Sequence, residues 1–427
     1  MKPYILERKI GGDLALINAT NQSVCILDEV GEQVWHFFQK TKSIDELKKR
    51  IEVPPTERAN FELFCDELEK FLNGKVRDLS QGPSLHKYSY DKGIPLVIAL
   101  EISTRCQLHC RHCYNSNRHS LEKEGKRYMN LPLSAVESLA KNLHELGTPF
   151  VIITGGEPLL HPQFLDICQI LTSSGIALKV FTNGYNLTPQ IADALVKMKI
   201  FLTGFTLFGS TAKDHEFISQ VPGSFTRIVR AIKLIKERNA PTDVHFFLMQ
   251  HNFEKRTDMA KWARNEFGIN PSFSFSMIPR ESGDLMPLEL EINSQQMRTF
   301  FREEGVARES LQCGDETMTP CTAGKTLVAV KANGDVTPCI SLIYPVGNIF
   351  ENSFIDIWRN SKILKQFHSL KIHDIKGCSG CKLTNICLRC FVNAHILGKD
   401  IFGKDPHACK IVNNLQAVRD ELKRRYR

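Results

Sequence analysis

Between residues 96 and 277, short apolar runs alternate with stretches in which apolar residues recur every three or four positions. The runs at 96–102, 150–153, 178–181, 201–207, 244–249 and 273–277 predict six buried strands. The stretches between them predict helices. Leu133, Val136, Leu139, Leu143 and Leu146 share one helical face, with Gly147 placed to stop it. Further helices are expected over 164–171, 191–198, 228–235 and 255–267. Buried strands alternating with helices indicate the α/β class: a parallel sheet curved into a partial (β/α)6 barrel over 96–285, with functional groups at the C-terminal ends of its strands.

The flanks follow other rules. Residues 14–18 and 23–27 read as a hairpin around Ala19-Thr20-Asn21-Gln22. Asp28 can cap a helix carrying Val30, Val34, Trp35 and Phe38, and Ser43-Ile44-Asp45-Glu46 fits a capping box. A third helix carries Phe61, Phe64, Leu68 and Phe71, with Gly74 as its stop. Residues 1–85 are thus expected to form a small α+β module, joined by a Gly- and Pro-broken linker over 86–95. Beyond 285 the alternation ends. A cysteine-rich region, 286–410, precedes a last helix at 411–427.

Composition narrows the chemistry. No apolar run approaches the roughly 18 residues of a membrane span, and the N-terminus lacks a signal-peptide core. A cytoplasmic protein with no membrane partner is expected. The net charge of +8 is mild for 427 residues. Its clearest basic run, Lys423, Arg424, Arg425 and Arg427, has no aromatic interleaving, so no nucleic-acid partner is expected. Fourteen cysteines in such a chain point to metal or redox chemistry rather than disulfides. Cys25, Cys65 and Cys168 sit in apolar surroundings and read as core residues.

The other eleven fall in two groups. Cys106, Cys110 and Cys113 follow the first barrel strand with C-x3-C-x2-C spacing. Three thiolates on a four-iron cluster leave one iron open to a cofactor or substrate. A zinc site completed by His109 or His112 is the alternative. Thr154-Gly155-Gly156-Glu157-Pro158 follows the second strand: its glycines permit close backbone approach, and the carboxylate can accept from an ammonium. The second group, Cys313, Cys321, Cys339, Cys378, Cys381, Cys387, Cys390 and Cys409, supplies the thiols for two fully ligated four-iron clusters. Two zinc sites are the alternative. Asn333-Gly334, between Cys321 and Cys339, predicts a hairpin.

These motifs resemble the radical S-adenosylmethionine (SAM) superfamily. The resemblance implies that Cys106, Cys110 and Cys113 hold the cluster whose open iron binds SAM, and that Tyr114 lies near the adenine. It implies that Gly155, Gly156, Glu157 and Pro158 meet the SAM amino group. Asn183 of Thr182-Asn183-Gly184, Thr206 and Ser219 are further cofactor candidates, with a plain strand residue as the rival for Thr206. The second group resembles the SPASM extension, which carries two auxiliary clusters. By that pattern Cys313, Cys321, Cys339 and Cys390 hold one, and Cys378, Cys381, Cys387 and Cys409 the other. Leu388-Arg389 spaces Cys387 from Cys390 by two residues where the family has three.

The N-terminal module resembles the winged-helix-like peptide chaperone of pyrroloquinoline quinone biosynthesis, a leader-recognition element in peptide-modifying enzymes; a structural or oligomerisation domain is the alternative. The expectation is a maturase with three [4Fe–4S] clusters and SAM, acting on the leader and core of a ribosomally made precursor peptide. An external one-electron donor such as flavodoxin or ferredoxin would reduce it. Oxidation of a protein side chain, as in sulfatase maturases, and tetrapyrrole modification keep the chemistry with another substrate. A non-catalytic iron–sulfur electron-transfer scaffold is the reading from another class. Asp284, after the last strand, is a candidate catalytic acid or base by position alone, with a surface turn as the alternative.

Overall fold

The computed structural model describes residues 5–18, 23–73, 85–115, 129–303 and 321–425. Strands β1 (Ile5–Ile10), β2 (Asp13–Asn18) and β3 (Ser23–Leu27) form an antiparallel sheet in that order. β2 and β3 are the expected hairpin; β1 is an addition. Helices Glu29–Thr41, Ile44–Arg50 and Arg58–Leu72 follow. Asp28 Oδ1 accepts from Gly31 N (2.8 Å), and Ser43 Oγ accepts from Glu46 N (3.3 Å), so both caps form. Leu14, Leu16, Cys25, Leu27, Trp35, Leu68 and Phe71 make the core between sheet and helices. Gly74 lies outside the described residues.

The stretch expected to be a linker is helical over Leu85–Asp91 and docked along one side, with Ser89 buried. Tyr88 donates to Ile10 O (2.8 Å), His86 Nδ1 lies 3.1 Å from Thr326 Oγ1, and Trp358 Nε1 donates to Gly93 O (2.8 Å).

Six parallel strands build the barrel: β4 (Val97–Ser103), β5 (Phe150–Gly155), β6 (Ala177–Thr182), β7 (Leu202–Leu207), β8 (Thr242–Phe247) and β9 (Ser272–Ser274). The sheet continues past β4 through β10 (Leu327–Val330), β11 (Asp335–Thr337) and β12 (Gly347–Asn348). β10 pairs parallel with β4, and β10 and β11 are the hairpin expected at Asn333-Gly334. The cysteine-rich region is thus stitched to the barrel by a β ladder.

The N-terminal module closes the barrel at the end where the strands begin. Ile17, Leu6 and Val24 pack on Leu96, Phe150, Ala177, Phe201 and Leu202. Arg8, 5% exposed, donates to Leu143 O (3.0 Å) and Ser174 O (2.6 Å), at the C-terminal ends of helices Leu133–Leu146 and Phe164–Ser173. A cation there satisfies orphan carbonyls and complements the helix dipoles. Gly147 caps the first of these helices at φ +75°, and a Cβ on it would sit 2.9 Å from Lys9 O. The final helix runs Pro406–Arg425, five residues longer at its start than expected, so Cys409 lies in its first turn.

Candidate functional site

The first cysteine loop leaves β4 at the end of the barrel opposite the N-terminal module, and three parts of the chain grip it. Gly156 N donates to Ser103 O (2.7 Å) and Glu157 N to Arg105 O (2.7 Å), fastening it to the end of β5. His109 N and Arg111 N donate to Ser219 O and Ile218 O (both 3.0 Å), the last turn of helix Ala212–Ser219. Arg280 Nη2 donates to Arg111 O (3.2 Å), and Glu281 N to Tyr114 O (2.8 Å). Cys106, Cys110 and Cys113 are half-buried on this held loop. The approach of β5 is so close that a Cβ on Gly156 would lie 2.1 Å from Arg105 O, and one on Gly155 (φ +137°) 2.4 Å from Ser103 O. His112 packs its ring on Phe208 and Phe247, at 4.7 and 5.5 Å.

The Glu157 carboxylate, 1% exposed, accepts from Thr182 Oγ1 (2.6 Å), Asn183 N (2.8 Å) and Leu159 N (3.1 Å). It ties the end of β5 to the end of β6. Asn183 Oδ1 accepts from Gln107 Nε2 (2.9 Å) and Tyr185 N (3.0 Å). Those two donors fix the amide orientation, so its NH2 faces Cys106 Sγ at 3.6 Å. Asn183 therefore stands beside a thiol that must become a thiolate to bind iron. Pro158 is buried and opens the turn Pro158–Leu160.

The remaining candidates separate. Tyr114 is half-buried beside the cysteines, and Thr206 is half-buried on β7 opposite His245 of β8. Ser219 is fully buried with its hydroxyl 2.7 Å from Ser224 Oγ; what it offers the cysteine loop is its carbonyl. Asp284 is an exposed turn residue rather than a poised acid or base. It pairs with Arg280 (2.9 Å) and accepts from Met286 N (2.9 Å) at the start of a short helix.

A buried ionic group was invisible in the sequence. Lys331 Nζ lies 3.0 Å from Glu281 Oε1 and 3.4 Å from Glu101 Oε2, and donates to Ile340 O (2.9 Å). Burial acts to lower the lysine pKa, but the two carboxylates outweigh it and raise it. This group joins β4, the segment after β9, the turn after β10 and the residue next to Cys339. Its signal was a lone glutamate in an otherwise apolar strand, Val97-Ile98-Ala99-Leu100-Glu101-Ile102. The three side chains also border a small cavity of about 120 Å3 with Thr104, Asn115 and Asp335.

The second cysteine group divides in two. Cys321, Cys339 and Cys390 lie together: burial first, then the neighbouring thiols, push Cys339 up to about 12, and burial with Cys321 pushes Cys390 up to about 11. Cys378, Cys381, Cys387 and Cys409 form the other set. Burial first, then Cys409, Cys378, Asp405 and Cys381, push Cys387 up to about 12. Thiols that burial and mutual repulsion hold protonated ionise when a metal cluster supplies the positive charge. Cys313 lies outside the described residues. Cys25, Cys65 and Cys168 are buried core thiols, as expected.

Two family models match this layout. One, the radical SAM superfamily, covers residues 100–263; the other, the SPASM iron–sulfur cluster-binding domain, covers 321–382. The chain carries a radical SAM domain followed by a SPASM domain. Three four-iron clusters and SAM fit this architecture, and the partial barrel is the radical SAM fold. Cys387, Cys390 and Cys409 lie beyond the matched SPASM segment, and the fold carries them back to its cysteines.

Among curated relatives, the AdoMet-dependent heme synthase of Methanosarcina barkeri is 25% identical, over 73% of this chain and 96% of its own. Mycofactocin maturase MftC of Mycobacterium ulcerans is 22% identical, over 75% and 90%. Among solved structures, Streptococcus suis SuiB bound to precursor peptide SuiA superposes with a TM-score of 0.64 at 18% identity, covering 95% of this chain and 98% of that one. Coverage of 95% cannot be reached without most of the N-terminal module, so the fold likeness to SuiB extends to it. Among the described residues no helix is long and apolar enough to cross a membrane.

Proposed function

We propose that this radical SAM enzyme modifies a ribosomally made precursor peptide, whose leader docks on the N-terminal module. The observation that carries the reading is an open groove of about 1240 Å3 beside the outer strand of that module. β3 ends its sheet among the described residues, and its outer edge runs along the groove. Val30, 68% exposed, with Val34, Phe37, Phe61 and Phe64 gives the groove apolar walls. A free edge beside apolar pockets suits a peptide that adds as a strand and buries alternate side chains.

At the other end of the barrel, Cys106, Cys110 and Cys113 would hold the first cluster. The Gly155–Pro158 backbone, Tyr114 and Thr206 would border SAM, while Glu157 and Asn183 hold the strand ends around it. Bound there, SAM and its cluster supply a 5′-deoxyadenosyl radical from one electron, able to take a hydrogen atom from the peptide. The chain's part is to fix the loop, shield it from water and hold the peptide. The two downstream thiol sets would hold the auxiliary clusters, to which a surplus electron could pass during crosslinking or oxidation. A cytoplasmic setting and a flavodoxin- or ferredoxin-like donor belong to this reading.

A second reading, tetrapyrrole modification, has the heme synthase likeness in its favour. The deciding experiment is anaerobic binding and turnover with the products of short reading frames beside the gene. Leader binding that weakens at least about tenfold in Val30→Glu, a loss of about 1.4 kcal/mol, supports the peptide reading. SAM cleavage with no peptide bound, and turnover of a tetrapyrrole, would overturn it.

A further inference from the structure

Two residues separate the two auxiliary thiol sets, and they point opposite ways. Leu388 is 57% exposed, whereas Arg389 is 3% exposed. The Arg389 guanidinium donates to Gly403 O from Nε (2.9 Å) and Nη2 (2.7 Å), and to Ile401 O from Nη2 (2.5 Å). It lies over the Phe391 ring at 4.5 Å. These contacts satisfy its Nε and Nη2 donors without neutralising it. The acid whose field it feels, Asp405, is committed elsewhere: Oδ2 accepts from Cys390 N (2.8 Å), and Oδ1 from His407 N and Ala408 N (both 2.9 Å). Among the described residues Arg389 has no ion pair within salt-bridge distance. Arg389 is next to Cys390 of one set and two residues from Cys387 of the other, so its buried charge stands between the two sets.

A buried cation held only by carbonyls is costly unless negative charge arrives beside it. Four thiolates around a four-iron cluster bring such charge, and each added electron brings more. We infer that Arg389 is the shared counter-charge of the two auxiliary clusters, raising both reduction potentials and so favouring entry of an electron at either. The inference rests on the assignment of the eight downstream cysteines to two clusters. It makes Arg389 a positioning and tuning residue, not a catalytic one.

The test uses full-length protein carrying Cys106→Ala, Cys110→Ala and Cys113→Ala, reconstituted anaerobically so that only the auxiliary clusters report. Iron is counted first; fewer than about eight irons without any change at Arg389 would count against the cluster assignment itself, separately from the arginine. Redox titration followed by electron paramagnetic resonance then compares Arg389→Gln and Arg389→Lys. The expected result is a negative shift of both midpoint potentials in Arg389→Gln, and potentials near the parent's in Arg389→Lys. Unchanged potentials in an iron-replete Arg389→Gln, or a shift of one cluster alone, overturn the inference. If Arg389→Gln loses iron, Arg389→Lys decides: parent-like potentials uphold the shared charge. A shifted potential despite the retained charge, or iron loss there too, reduces Arg389 to a structural anchor.

Discussion

The two cysteine groups solve opposite problems. The first is contiguous in sequence, half-exposed, and held by its backbone from outside: the end of β5, helix Ala212–Ser219 and the segment after β9 each grip it. The second is scattered from 321 to 409, with Cys321, Cys339 and Cys390 packed against an apolar cluster and Cys381 exposed, and is organised around charged side chains that burial makes costly, above all Arg389. A cluster that must offer an iron to a small molecule needs an accessible but immobile loop. Clusters that only pass electrons can be enclosed, and enclosure gives each fixed charge more leverage on them.

The largest effect that could break this comparison is at Cys106. Cys106→Ala should abolish 5′-deoxyadenosine formation and remove about four irons while leaving the downstream thiol sets loaded. Loss of all iron would mean that the two groups do not assemble independently.

Next is Lys331→Met, which leaves Glu101 and Glu281 buried without their cation. A loss of about 3–5 kcal/mol in denaturant unfolding is expected, because removing one partner of a buried ion pair strands the other. A change under about 1 kcal/mol would show that water reaches the group.

Gly156→Ala tests the outside grip. A Cβ 2.1 Å from a carbonyl oxygen forces backbone movement, at a cost of about 1–3 kcal/mol, together with loss of SAM cleavage. An active, unshifted variant would show that the loop yields.

The gentlest probe is pH. His215, on the helix that grips the loop, is buried between Phe208 and Phe225, and burial pulls its pKa down to about 4. The native state therefore holds it neutral while the unfolded chain protonates it near 6.5. Its contribution is present above the unfolded value and is lost as pH falls toward 4. About 2 kcal/mol should disappear between pH 7 and pH 5. His215→Gln, read by the same unfolding titrations, should flatten that dependence; an equally steep slope in the variant would place its origin elsewhere.

What the sequence revealed follows from the range of the interactions involved. The six barrel strands, Gly147 as a helix stop, and the caps at Asp28 and Ser43 are local patterns, and the structure has them all. The partition of the downstream cysteines came from the family resemblance and from no local pattern. β1 was missed because Glu7, Arg8 and Lys9 interrupt its apolar alternation; Arg8 is there to dock the barrel, a requirement set by distant carbonyls. Helix Ala212–Ser219 escaped because its sequence, Ala-Lys-Asp-His-Glu-Phe-Ile-Ser, lacks a clean apolar stripe. Glu101, Glu281 and Lys331 lie up to 230 positions apart, so no window along the chain could join them. Asp284 offered two readings, a surface turn and an acid or base after the last strand, because position after a strand says nothing about the direction of a side chain; its side chain is exposed in a turn.

The seating of the N-terminal module by Arg8 turns the barrel into a measuring rod. A leader lying along β3 starts beneath the strands, and the cysteines stand above them. Strands of six residues rise about 20 Å. An extended peptide covers at most about 3.5 Å per residue, so at least about six residues must separate the docked segment from any residue that is modified, and a path around the outside requires more. For such a precursor, spacer length would be as much a part of recognition as the side chains that enter the groove.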